Sequence, residues 1–290
     1  MNLSHILIAY DLSPLADRAL ERGFKLAEEM GANVTVLRVV EPKKVNVDAE
    51  LARAHPKLED EVEQLAETVR ELAGRTGVIA DFALNAGTPV ETILEQAKEL
   101  KADLIVLGLH KPEGIVEWFA GSTAEAIIRK SDIPVLTVRH KSVNAYTNIL
   151  SATDFSPCSK KALDTATAIA PDATIHLAHI YEDPLPTLAG ISDRSTSPGR
   201  NEAELFARES AARELTDFIS TLGDAGKRIT PILDQGRAKP RLDKLVEEHK
   251  PDLIALGTTG RSGVVTTLIG GVASDFLRHP PCDILVAKAK

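Results

Sequence analysis

The residues best suited to chemistry lie in two glycine-spaced loops. The stronger is Gly257-x2-Gly260-x9-Gly270-Gly271-Val272; it follows the apolar run Leu253–Leu256 and opens an amphipathic segment. A strand, a glycine loop and a helix start in that order make a phosphate cradle. Glycine lets backbone N–H groups approach an anion, and a helix N-terminus adds unpaired donors and partial positive charge. A weaker copy lies upstream at Gly108-x2-Lys111-x9-Gly121-Ser122-Thr123. Tight turns that merely join strand to helix would use the same glycines. Two carboxylates, Asp11 and Asp154, stand in matched Asp-x-Ser-Pro contexts. Each could accept hydrogen bonds from a ribose or a base, or help hold Mg²⁺; each could equally cap the helix that follows it.

These residues need elements to position them, and the hydropathy pattern supplies an alternating set. Strand-like runs fall at His5–Leu12, Val34–Val40, Val78–Asn85, Leu104–Leu109 and Val135–Arg139. Helical patterns separate them. Ser13 and Pro14 suit an N-cap and first helical position, and Leu15, Ala19, Leu20, Phe24 and Ala27 form one apolar face ended by Gly31. Asp48–Gly74 reads as a long charged helix, and Gly87-Thr88-Pro89 starts another. Alternation of this kind predicts an α/β fold with a parallel sheet and right-handed crossovers. In such sheets ligands bind at the carboxyl ends of the strands, where strand order reverses.

The pattern then begins again. Asn148–Pro157 repeats His5–Pro14, Pro251–Gly257 repeats Ala102–Gly108, and Gly236 and Gly270 match Gly87 and Gly121. Matches in one order at near-constant spacing establish an internal repeat. Two tandem five-stranded parallel-sheet domains are therefore expected, over 1–141 and 148–290, joined by the short polar stretch Lys141–Thr147. The halves differ most after their second strand, where Asp183–Arg200 is rich in Pro, Ser and Gly and reads as a loop, either a connector or a lid.

Composition excludes several classes. The 290 residues carry a formal charge of −8, against a general nucleic-acid binder. No apolar run reaches the length of a membrane span, and the N-terminal residues lack a signal-peptide pattern, so a cytoplasmic protein is expected. Cys158 and Cys282 form no CxxC pair and read as reduced core thiols. The eight histidines make no metalloprotease spacing and no Cys/His metal cluster; His110 reads as an exposed loop residue, and His176 and His179 as structural residues of a strand. The pair Trp118 and Phe119 reads as packing. No nucleophile elbow or Walker lysine appears, so no catalytic apparatus is visible.

With these residues in view, the chain resembles a tandem member of the universal stress protein family over essentially its whole length. The resemblance rests on the Asp after the first strand of each half and on a G-x2-G-x9-G-[S/T] motif after the fourth. The second loop keeps all three glycines but has Gly271 where the family has Ser or Thr. The first keeps Ser122 but has Lys111 for the middle glycine, a residue that could block the backbone approach or lend its charge to a phosphate. The resemblance implies a Rossmann-like fold of the adenine nucleotide alpha hydrolase kind, and ATP as ligand, with Mg²⁺ as a candidate companion. Carried over, Ala152, Asp154 and Ile180 would line the second pocket, Leu256 and Gly257 would flank the ribose, and Gly260, Gly270, Gly271 and Val272 would face the phosphates. The first-half counterparts are Ala9, Asp11, Val39, Leu107, Gly108, Lys111, Gly121, Ser122 and Thr123. The resemblance further implies an internal pseudo-dimer through Val135–Arg139 and Ile284–Lys288, a regulatory role toward a protein partner, and scope for a homodimer of chains. A nucleotide-free interaction module and a slow ATP hydrolase are the alternatives.

Overall fold

The computed structural model describes residues 3–41, 47–109, 123–141, 144–182, 198–258 and 269–289. The first half runs β1 (His5–Tyr10), α1 (Pro14–Met30), β2 (Asn33–Val40), α2 (Val47–Thr76), β3 (Ala80–Ala86), α3 (Pro89–Glu99), β4 (Leu104–Gly108), α4 (Thr123–Lys130) and β5 (Val135–Val138). The second runs β6 (Asn148–Ala152), α5 (Pro157–Ile169), β7 (Thr174–Tyr181), α6 (Pro198–Ser220), a 3-10 turn (Gly223–Arg228), β8 (Ile229–Gln235), α7 (Ala238–His249), β9 (Leu253–Gly257), α8 (Gly271–Arg278) and β10 (Asp283–Ala287). Pro198–Arg200, read from sequence as part of a loop, opens α6 instead; the rest of that loop, 183–197, lies outside the described residues.

The strands form one sheet in the order β3-β2-β1-β4-β5-β10-β9-β6-β7-β8. Within each half all pairings are parallel, and the halves join where β10 pairs antiparallel with β5. The expected union through the last strands is therefore present, and it merges two five-stranded sheets into one. Strand order reverses between β1 and β4, and again between β6 and β9.

Helices cover both faces, so the strands read as nearly unbroken apolar runs. On one face α1, α2, α5 and α6 contribute Leu20, Phe24, Leu65, Leu163, Ile169 and Leu215 to a core with Ile6, Ile8 and Val36. On the other, α3, α4, α7 and α8 contribute Ile93, Ile127, Leu242 and Phe276 to a core with Leu7, Leu37 and Ile254. Alternate strand residues thus feed opposite layers.

Two local devices recur in both halves. Ser13 and Ser156 cap α1 and α5, accepting from Ala16 N at 3.1 Å and Ser159 N at 3.2 Å, each followed by Pro at the first helical turn. At the amino ends of the strands, Asp103 accepts from Ser4 N at 2.7 Å, Ser4 Oγ at 2.9 Å and His5 N at 3.1 Å. Asp252 does the same for Thr147 N at 2.7 Å, Thr147 Oγ1 at 2.9 Å and Asn148 N at 3.1 Å. The aspartate in each repeated Asp-Leu-Ile motif is thus a clasp on the entry to the half's first strand, at the end of the sheet opposite the glycine loops.

Candidate functional site

In the second half the sheet reverses between β6 and β9, the place where parallel α/β sheets bind ligands. Beyond β6, Thr153 N–H continues the ladder to Ala178 O at 2.9 Å, and Asp154 Oδ1 accepts from Ser156 N at 3.1 Å. The aspartate closes a short turn, and Ser156 supplies the cap. Between them Phe155 adopts a left-handed backbone, φ 64°, as Leu12 does at the same corner of the first half, φ 67°. Such a conformation costs an L-residue on the order of 1–2 kcal/mol. The corner is held by the aspartate turn and, in the second half, by Phe155 packing on His179 at a 4.2 Å centroid separation and on Phe218 at 5.5 Å. His179 Nδ1 donates to Thr153 O at 2.8 Å.

Beyond β9, Thr258 N–H donates to Ala287 O at 3.0 Å, and its Oγ1 lies 3.7 Å from Cys158 Sγ. Gly270 N–H returns to Thr258 O at 2.5 Å, so the two stems of the glycine loop are pinned together. Gly270 is the N-cap of α8 and brings no side-chain cap. The N–H groups of the first helical turn therefore have no intrahelical acceptor. Gly271 is exposed, and a Cβ there would meet nothing within 4 Å among the described residues. A helix start that no described residue covers, beside a strand switch point, suits an anion.

Gly257 has a different constraint. A Cβ on it would lie 2.7 Å from Ser159 N and 2.9 Å from Cys158 C, inside the first turn of α5. At Gly108 the same atom would lie 2.6 Å from Leu15 C and 2.8 Å from Ala16 N, in the first turn of α1. Both glycines end a strand that a helix start crosses at contact distance, a reason for glycine independent of any ligand.

Ala152, Ile180, Leu256 and Val272 all pack into the layer that α7 and α8 cover, at the carboxyl end of the sheet, with Asp154 at the end of the adjoining turn. In the first half Ala9, Val39 and Leu107 occupy the equivalent layer, and Ala9 pairs with Leu107 in the sheet. Asp11 Oδ1 accepts from Ser13 N at 3.1 Å. Beside it Tyr10 donates to Asp17 Oδ1 at 2.5 Å; burial first, then that bond and the charges of Asp17 and Asp11, push its hydroxyl pKa far up. Thr153 stands at the matching position of the second half, so the two mouths differ in polarity. Gly260, His110, Lys111, Trp118, Phe119, Gly121 and Ser122 lie outside the described residues, and Thr123 begins α4. Sequence reasoning missed Thr258 at the loop stem and the approach of its Oγ1 to Cys158. Only the position of Thr258 one residue past the β9 glycine could have signalled its role, and nothing in the pattern marks the thiol. Both cysteines are free and buried, as expected. Among the described residues no three His, Cys, Asp or Glu side chains gather into a metal site, and no helix is long and apolar enough to cross a membrane.

A duplicated, doubly wound α/β unit defines a class of Rossmann-like proteins, and comparison with known proteins narrows it. The universal stress protein family matches residues 2–139 and again 145–288, so the chain is a tandem member of that family. A universal stress protein of Thermus aquaticus is 34% identical over 139 residues, covering 46% of this chain and 97% of its own. One from Methanocaldococcus jannaschii is 31% identical over 137 residues, 46% of this chain and 81% of its own. A crystal structure of a universal stress protein from Archaeoglobus fulgidus matches the whole of both chains with a TM-score of 0.72 at 20% identity, a likeness of fold.

Proposed function

We propose that the second half binds an adenine nucleotide, ATP, and that the bound state sets how this stress-response protein engages a protein partner in the cytoplasm. The proposed units are 1–141 and 148–290. The observation that carries the reading is the N-terminus of α8, uncovered among the described residues, with its stem pinned by Gly270 to Thr258, at the β6/β9 switch point. In this reading the N–H groups of Gly271 and Val272 hold phosphate, Gly260 lets the loop backbone approach, and Ala152, Ile180 and Leu256 form the apolar wall against base and ribose. Asp154 accepts from a sugar hydroxyl or the base amine, and Mg²⁺ accompanies the phosphates. Gly271 contributes an N–H where a Ser would add a hydroxyl, so affinity is reduced but retained. Isothermal titration of purified protein with ATP is expected to show saturable heat; flat heats together with no adenine absorbance released by acid from freshly purified protein would overturn the reading.

A second reading rests on Gly108 and Gly257. Their close contacts with α1 and α5 account for both glycines without a ligand, which favours a nucleotide-free docking platform. Under it, protein isolated from cells carries no adenine, and Gly271→Asp leaves partner capture unchanged.

A further inference from the structure

The junction between the halves is nearly two-fold. The repeat is offset by 143 residues through β1 and α1, as Asp11 to Asp154, and by 149 from α3 onward, as Gly108 to Gly257. Under that offset Leu136 and Leu285 are counterparts, and they pair with each other across β5 and β10. The flanking contacts are matched. Arg18 Nη1 donates to Arg139 O at 2.6 Å, and its counterpart Lys161 donates to Lys288 O at 3.0 Å. Lys161 also crosses the junction to Asp132 O at 2.5 Å, while His140 Nε2 crosses the other way to Pro281 O at 3.1 Å.

One corner breaks this symmetry. Arg22 of α1 lies 3.5 Å from Asp283 Oδ2 at the start of β10, and both side chains are only 3% exposed. The guanidinium sits 4.0 Å over the ring of Tyr146, whose hydroxyl donates to Asp283 Oδ2 at 2.7 Å. Asp283 Oδ1 accepts from Arg139 N at 2.7 Å and His140 N at 3.3 Å, and Arg22 Nη1 donates to Asn144 O at 2.7 Å. The corresponding positions of the opposite corner hold Thr165, Pro134 and Leu3, all buried and none charged.

We infer that Arg22, Tyr146 and Asp283 are a pairing-selectivity device: the β5 edge of a first half fits the β10 edge of a second half and rejects another first half. In a first-with-first junction each Arg22 would face Pro134 and Leu3, a buried guanidinium with no counter-ion. In a second-with-second junction each Asp283 would face Thr165. Breaking a buried pair in this way is strongly unfavourable, and such repulsion against the wrong partner confers specificity. The strands alone supply little discrimination, since Val135, Leu136 and Thr137 stand where Ile284, Leu285 and Val286 stand in the other half.

The test uses the full chain carrying Leu136→Cys. First-with-first pairing sets two copies of position 136 opposite each other on neighbouring strands, within reach of a disulfide; the observed pairing sets it against Leu285 of the same junction. Chains are refolded from urea at high concentration, oxidised and run on a non-reducing gel beside a control without the new cysteine. With the native trio, chain-to-chain cross-links are expected at the control level. With Arg22→Thr, Tyr146→Leu and Asp283→Asn together, they are expected to rise about tenfold or more, as loss of a bias exceeding 1.4 kcal/mol allows. Because removing the trio could impair folding, a second variant reaches symmetry from the other side: Pro134→Asp with Thr165→Arg keeps the trio, and the same rise is expected. Cross-linking at the control level in whichever variant refolds would overturn the inference, as would a strong cross-link with the native trio.

Discussion

Gly257→Ala separates the packing role of the glycine loop from its ligand role. The added methyl would stand 2.7 Å from Ser159 N, 2.9 Å from Cys158 C and 3.0 Å from Cys158 Cβ. Two of these are backbone atoms, so no side-chain rotation relieves the clash. The first turn of α5 must move, and that turn carries the Ser156 cap and the Cys158 contacts to Thr258 and Ala289 N. Overpacking of this kind costs about 1–3 kcal/mol. Gly271→Ala is the control, since its Cβ would meet nothing within 4 Å among the described residues. Thermal unfolding without nucleotide should lower the melting temperature of Gly257→Ala by about 2–4 °C for each kcal/mol and leave Gly271→Ala within about a degree of the parent. Equal melting temperatures for Gly257→Ala and the parent would refute the argument that close helix approach requires glycine there.

Other outcomes follow from the same geometry. Arg22→Ala leaves Asp283 as a buried carboxylate without its counter-charge and should cost about 3–5 kcal/mol in urea unfolding. Ser156→Ala removes the α5 cap and should cost about 1 kcal/mol by the same assay. His176 stacks on His249 with centroids 4.1 Å apart, and burial first, then the charge of His249, lowers its pKa from 6.5. The unfolded chain therefore binds more protons than the native one just below pH 6.5, so stability should fall as pH drops through that range, and His176→Asn should flatten the dependence.

Much of the fold was legible because the chain states it twice. The repeats His5–Pro14 and Asn148–Pro157, with the two Asp-Leu-Ile runs, are local patterns, and local patterns survive translation into strands, caps and switch points. What was not legible depends on atoms brought together from distant segments. Arg22 reads as an ordinary charge beside the apolar stripe of α1, and only the β5–β10 junction places Asp283 and Tyr146 against it. The stacking of His176 on His249 follows from the register of β7 and the end of α7, which no spacing rule encodes. Spacing singled out both Gly257 and Gly271 but could not tell Gly257, crowded by α5, from Gly271, whose Cβ would meet nothing within 4 Å among the described residues. The two aspartates were read as site residues or caps; the structure makes each a turn-former that sets a serine cap.

The most direct test of the nucleotide reading is calorimetric titration of ATP into three full-length proteins: the parent, Asp154→Ala and Asp11→Ala. The parent is expected to saturate, with its principal site in the second half. Asp154→Ala should lose about 1.5–3 kcal/mol of binding free energy, roughly a 10- to 150-fold weaker affinity, while Asp11→Ala binds as the parent does. Absence of binding in the parent, or loss on Asp11→Ala with Asp154→Ala unaffected, would contradict the assignment of the site to the second half.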